Sequence, residues 1–170
     1  MGPFESFVRP PKVPIGVVAF SFGLTKCEPN PCNIALAKAV QRIVREEKQR
    51  GISVVVVAQW EITTALPSKM IDYIVVNHRQ RCIYLDSEEV MAQAAEVFSR
   101  EGVSHVIPVA NPFLHLHKCR QLVKQSGFTP IARNIGRIGF CQKSTQWWTR
   151  GPIRLILYAV LQKFFGWRGR

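Results

Sequence analysis

The densest run of chemically capable side chains is Asn111-Pro112-Phe113-Leu114-His115-Leu116-His117-Lys118-Cys119-Arg120. Two imidazoles two residues apart, followed by a lysine and an arginine at the expected start of a helix, suit an anion. The free N–H groups of a first helical turn and the positive end of its dipole already attract negative charge, and a histidine there can exchange a proton near neutral pH. His115 is therefore a candidate acid/base group, Lys118 and Arg120 are candidate anion binders, and Asn111 lines the approach. The competing reading has His115 capping the helix while His117 and Lys118 face water. A metal would need one or two further ligands, which only Glu61 or Asp86 could add, so no metal site is expected. Gln59-Trp60-Glu61 is a second polar cluster. Glu61 fits a general base or a ribose-binding carboxylate, or else an acid at a helix start. Ser21, Gly23 and Ser87 complete the candidate lining, although the better reading of Ser87 is as part of a helix cap beside Asp86.

The elements that would carry these residues alternate along the chain. Ile15–Phe20, Ser53–Ala58, Arg81–Leu85, His105–Val109 and Thr129–Ala132 are short apolar runs rich in β-branched residues, as buried parallel strands should be. Between them lie a helix from about Asn33, a helix over 68–77, a helix opened by Asp86 with Glu89 three residues on, and a helix over Leu116–Gln125. Such alternation predicts βαβ units: an α/β, Rossmann-like three-layer sandwich, with a mainly parallel five-stranded sheet, strand one central, and helices on both faces. Every strand then delivers its carboxyl end to one edge, where ligands of open α/β sheets bind. All the candidates above fall at such ends. Neighbouring strand ends lie side by side, so His115 and Glu61 are expected to share the crevice, with the carboxylate raising the imidazole's pKa.

Residues 1–14 hold four prolines and read as an extended lead-in to a single domain over 15–170. That domain ends in an amphipathic helix over about 152–165, whose nearly continuous apolar girth predicts packing against the sheet, with an interfacial membrane helix as the alternative. No run is long enough to span a membrane. The opening residues show no positively charged segment followed by an apolar stretch, so a secretory signal is not expected. Five cysteines without a second close pair read as reduced thiols rather than a zinc site. Together these point to a cytoplasmic protein, with peripheral contact at the inner face of the membrane as an option.

Charge is placed unevenly. Residues 1–101 carry 12 Lys/Arg against 11 Asp/Glu, whereas 102–170 carry 11 Lys/Arg and no acid. That field favours an anionic small molecule or an anionic membrane, with nucleic acid ranked behind them. G-x-G-x-x-G, Walker and G-x-S-x-G loops are missing, which argues against a standard dinucleotide dehydrogenase, P-loop ATPase or serine hydrolase. No cofactor is evident beyond an unidentified nucleotide-like or phosphorylated ligand.

Leu85-Asp86-Ser87-Glu88-Glu89, then Phe113 before His115-Leu116-His117-Lys118, then Gly127-Phe128 and the Trp148-to-Phe165 tail resemble the YdcF/SanA/ElyC family of bacterial Rossmann-like domains. Lys118 stands where that pattern has arginine. Gln59-Trp60 stands where it has paired glycines. The resemblance implies an α/β domain linked to envelope biogenesis, acting on or sensing a phosphorylated molecule or lipid-linked precursor.

Overall fold

The computed structural model describes residues 13–26, 29–77 and 85–165. Residues 1–12 of the expected lead-in, and most of the expected strand Arg81–Leu85, lie outside them.

Five parallel strands form one sheet: β1 (Ile15–Ala19), β2 (Val54–Gln59), β3 (Tyr73–Val75), β4 (His105–Val109) and β5 (Thr129–Pro130), in the order β3-β2-β1-β4-β5. β1 is central and every residue of it is buried, as its IGVVA sequence requires of a strand covered on both faces. Ile15 lies opposite Val54 and His105, and Ala19 opposite Ala58 and Val109, so the ends of β1, β2 and β4 come level. The helices are α1 (Pro31–Gln49), the single turn α2 (Trp60–Thr63), α3 (Ser87–Arg100), α4 (His115–Gln125) and α5 (Pro152–Phe165). α1 packs on one face, α3 and α4 on the other. This is the expected Rossmann-like sandwich.

Three local expectations are corrected. Residues 68–77 are not a helix: Ser68–Met70 make one 3-10 turn, and Tyr73–Val75 pair in parallel with Val57–Gln59. Asp72 drives the chain into the sheet. Its N–H donates to the Val56 carbonyl (3.0 Å), and its carboxylate accepts from the Val56 N–H (2.7 Å). α1 starts at Pro31 with Asn30 as its cap, because proline's missing N–H costs nothing in the first turn. Asn33 instead faces inward, accepting from Phe22 N–H (2.7 Å) and donating to the Gly23 carbonyl (3.0 Å). The third correction concerns α5. It spans the expected residues, yet among its described side chains only Leu155 is buried, because α1, α3 and α4 already cover the sheet.

Candidate functional site

The order β3-β2-β1-β4-β5 puts the topological switch point between β1 and β4. From β1 the chain leaves through Phe20-Ser21-Phe22-Gly23, and from β4 through Ala110-Asn111. Asn111 is wholly buried and shapes its loop. Its side-chain carbonyl accepts from Phe113 N–H (2.9 Å), its amide donates to Gly139 O (3.1 Å), and its backbone carbonyl accepts from Leu116 N–H (2.9 Å). Leu114, just before α4, has φ 61, a region that costs a branched side chain energy. This turn delivers His115 as the first residue of α4, where it was expected. Its ring lies against Phe20 (centroids 6.2 Å) and Phe22 (5.9 Å). Nε2 is 2.9 Å from the Ser87 hydroxyl on the first turn of α3, while Nδ1 is buried without a partner. Burial, with the Lys118 cation adding to it, lowers the imidazole pKa from 6.5 to about 4. The upward shift expected from a neighbouring carboxylate is thus reversed, and His115 is neutral at physiological pH.

Glu61 sits on α2 after β2. Gln59, itself buried, is the tie beside it: its carbonyl accepts from Ser21 N–H (2.9 Å), and its amide donates to Glu61 Oε1 (3.3 Å) and the Leu85 carbonyl (3.2 Å). Burial pushes the Glu61 carboxyl from 4.5 up to about 7, against hydrogen bonds from its own backbone, Gln59 and Ser21 that pull it down. Glu61 Oε2 has no partner. Glu61 and His115 therefore occupy one sheet edge, joined through Gln59, the Leu85–Ser87 segment and the Ser87 hydroxyl rather than by contact.

The expected anion binders are placed less favourably. Lys118 Nζ lies 3.9 Å from Glu88, both side chains being well exposed, so the pair is weak but keeps a carboxylate beside the cation. Arg120 is half-buried on α4 with its Nε unpaired. The N-terminus of α3 is closed to an anion by its own capping box: Asp86 accepts from Glu88 and Glu89 N–H groups (both 2.9 Å), and Glu89 accepts from Asp86 N–H (2.9 Å).

Gly23 does not line open space either. At φ +85 it is packed so closely that a Cβ would stand 2.6 Å from Thr149 Oγ1 and 2.7 Å from Ser144 Oγ. It thereby seats the segment 139–150 on the β1–α1 loop. Thr145 donates its N–H (2.7 Å) and hydroxyl (3.1 Å) to the Leu24 carbonyl, and Thr149 donates its hydroxyl to Ser144 Oγ (2.7 Å). Between this segment and the start of α1 a cavity of about 730 Å³ opens, with Lys26, Lys143 and Arg150 beside Thr25, Ser144 and Thr145. Arg150 is oriented by an Nε–H bond to the Ser144 carbonyl (2.7 Å). Among the described residues no carboxylate lines this cavity. Phe140 packs edge-to-face on Phe22 (5.7 Å) and on Phe113 (5.9 Å), and Phe22 also meets the His115 ring. None of the candidate site residues from sequence lines the cavity; Lys26, Lys143 and Arg150 were missed, and the acid-free stretch from 102 onward hints at Lys143 and Arg150 but not at Lys26.

Among the described cysteines, Cys32, Cys119 and Cys141 are buried and free, as expected of reduced thiols. Burial, reinforced by Cys141, pushes the Cys32 thiol up to about 11. Among the described residues no helix is long and apolar enough to cross a membrane.

No family model and no curated protein matches the chain. Among solved structures it is similar to the ADP-bound biotin carboxylase domain of a thermophilic 2-oxoglutarate carboxylase (22% identity, TM-score 0.40), over 68% of this chain and 22% of that one. It is also similar to the Hydrogenobacter thermophilus biotin carboxylase domain in complex with ADP and bicarbonate (16%, TM-score 0.36, 68% and 22%). A third is Rhizobium etli pyruvate carboxylase (13%, TM-score 0.37, 69% and 11%). The chain thus spans about a fifth or less of these proteins.

Proposed function

We propose that this domain binds a small anionic molecule, phosphorylated or nucleotide-like, at the carboxyl edge of its sheet, with the anionic group held by Lys26, Lys143 and Arg150. The observation that carries the reading is the cavity beside the start of α1, where three cations and three hydroxyl side chains meet without a carboxylate among the described lining residues. Arg150, tethered at Nε, is pre-oriented, which lowers the entropy lost when an oxyanion docks. Lys118 and Arg120, the first candidates, serve this role less well, since Glu88 stands against Lys118.

Glu61 and His115 are the acid/base candidates on the same edge. A carboxyl near 7 can give or take a proton at physiological pH, whereas the imidazole, lowered to about 4 and bonded to Ser87, stays neutral there and acts as a hydrogen-bonding partner. A place among the YdcF/SanA/ElyC-like proteins, and with it a role in bacterial envelope biogenesis, belongs to the same proposal. The capping box at Asp86–Glu89 and His115 opening α4 support it.

Calorimetric titration with inorganic pyrophosphate tests the site. Replacing Lys26 and Lys143 together by alanine removes two charge-assisted contacts, each worth ~1.5–3 kcal/mol, so affinity should fall by at least about tenfold. The melting temperature should stay unchanged, because exposed lysines add little to stability. Equal affinity in the double variant, or no binding by the parent protein, overturns the assignment.

A further inference from the structure

α5 has an apolar composition that the fold leaves uncovered. It is tied to the body at one side: Tyr158 stacks on Trp148 with centroids 4.6 Å apart and planes 12° from parallel, and Leu155 is buried. On the rest of the helix Ile153 is 80% exposed and Phe164 70%, and Ile156, Leu157 and Val160 are each about half exposed. These five make up half of the large apolar side chains that stand exposed among the described residues.

Their arrangement is regular. At about 100° per residue, Ile156, Val160, Ile153, Phe164 and Leu157 fall within an arc of about 100°, opposite Leu155, Tyr158 and Gln162. Arg154 lies beyond one border of that arc and Lys163 beyond the other. Lys163 Nζ stands over the Phe164 ring, 5.8 Å from its centroid. The helix is thus apolar outward, anchored inward and cationic on both flanks. From residue 102 to the end the sequence has no acid, and Arg168 and Arg170 follow the helix in sequence.

We infer that α5 docks in the plane of an anionic membrane surface, with the Ile153–Phe164 face in the headgroup and upper acyl region and Arg154 and Lys163 among lipid phosphates. Fourteen residues make a helix of about 21 Å, short of the ~30 Å hydrocarbon core, so the helix lies in the surface rather than crossing it. A second copy of the chain is the weaker occupant. A two-fold contact through this face would set each helix's cations against those of its mate, with no acid on either helix to answer them. An anionic lipid surface satisfies both the apolar arc and its flanks. The inference is independent of the cavity described above, which α5 does not line.

Co-sedimentation of the full chain with vesicles decides it. Vesicles of equal parts phosphatidylcholine and phosphatidylglycerol should bind the protein, with affinity falling as salt rises, and phosphatidylcholine alone should bind it far less. I156D/V160D, both at exposed positions, should keep the parent's melting temperature and lose at least about tenfold in binding. R154E/K163E should lose binding to the anionic vesicles. Binding by I156D/V160D equal to the parent's overturns the inference. So does a parent that ignores anionic vesicles but forms a dimer by light scattering that I156D/V160D splits, since that outcome assigns the face to a second copy.

Discussion

The opposed titrations of Glu61 and His115 allow the burial of the site to be measured without knowing its ligand. Glu61 is held at about 7 against an ordinary 4.5, so the folded protein keeps this proton more tightly than the unfolded chain does. The resulting stabilisation is complete below 4.5 and is lost as pH rises through 7. His115 is held at about 4 against an ordinary 6.5, so the folded protein resists this proton. Its contribution is complete above 6.5 and is lost as pH falls through 4. Each group changes stability by about 1.4 kcal/mol per pH unit within its window, Glu61 downward with rising pH and His115 upward. Between 4.5 and 6.5 the two slopes cancel in the parent protein. Removing one partner exposes the other. From about pH 5 to about pH 6.5, E61Q should gain roughly 2 kcal/mol relative to the parent, and H115N should lose roughly 2 kcal/mol relative to it. Urea unfolding followed by tryptophan fluorescence across that interval reads both differences, and titrations common to all three proteins drop out. If E61Q runs parallel to the parent, Glu61 is hydrated and ionised in the fold. The reasoning that makes it an acid/base candidate then fails.

Two further perturbations test how the site is supported. Glu47 is completely buried on α1, and its Oε1 takes Arg133 Nε–H and Nη2 (both 2.7 Å) and the more exposed Arg50 (3.2 Å). R133A should therefore cost about 2–4 kcal/mol in chemical denaturation, and E47Q/R133M should recover most of it, because breaking a buried pair is worse than replacing both partners. G23A should cost at least about 2 kcal/mol from its positive φ and from the overlap with Thr149 and Ser144. It should also weaken pyrophosphate binding by displacing the segment that carries Lys143 and Arg150; G23A with full stability and affinity would show that this packing is loose.

Which features could be read from sequence follows from the range of the forces that decide them. β1, β2 and β4 are continuous β-branched runs, and the Asp86–Glu89 cap is complete within four residues, so local pattern decides each. The switch-point rule likewise brought Ser21, Gln59, Glu61, Asn111 and His115 to one edge, where they stand. Within that edge their tasks depend on neighbours far away in sequence. Gln59 is a tie because Ser21 and Leu85 meet it. Gly23 is a packing point because Ser144 and Thr149 press on it. Residues 68–77 satisfied either period. Asp72 pairing with Val56 sets Tyr73–Val75 as strand, a long-range event that periodicity does not contain.

The cavity cations and α5 mark two different ways in which composition stops short. Lys26, Lys143 and Arg150 come from opposite ends of the chain and are brought together by long-range packing, with Thr145 bonded to Leu24, Gly23 pressed on Ser144 and Thr149, and Arg150 held by Ser144. No spacing encodes such a meeting. α5 fails the other way, since its apolar pattern is plain but its burial is not. How much apolar surface a helix carries is a property of that helix. Whether a partner surface remains for it depends on what the other helices have already covered, and here α1, α3 and α4 have taken both faces of the sheet. What remains is the Trp147–Trp148 pair, against which Tyr158 packs beside the buried Leu155; one side of the helix is accommodated there, and the arc from Ile156 to Leu157 is left without cover among the described residues.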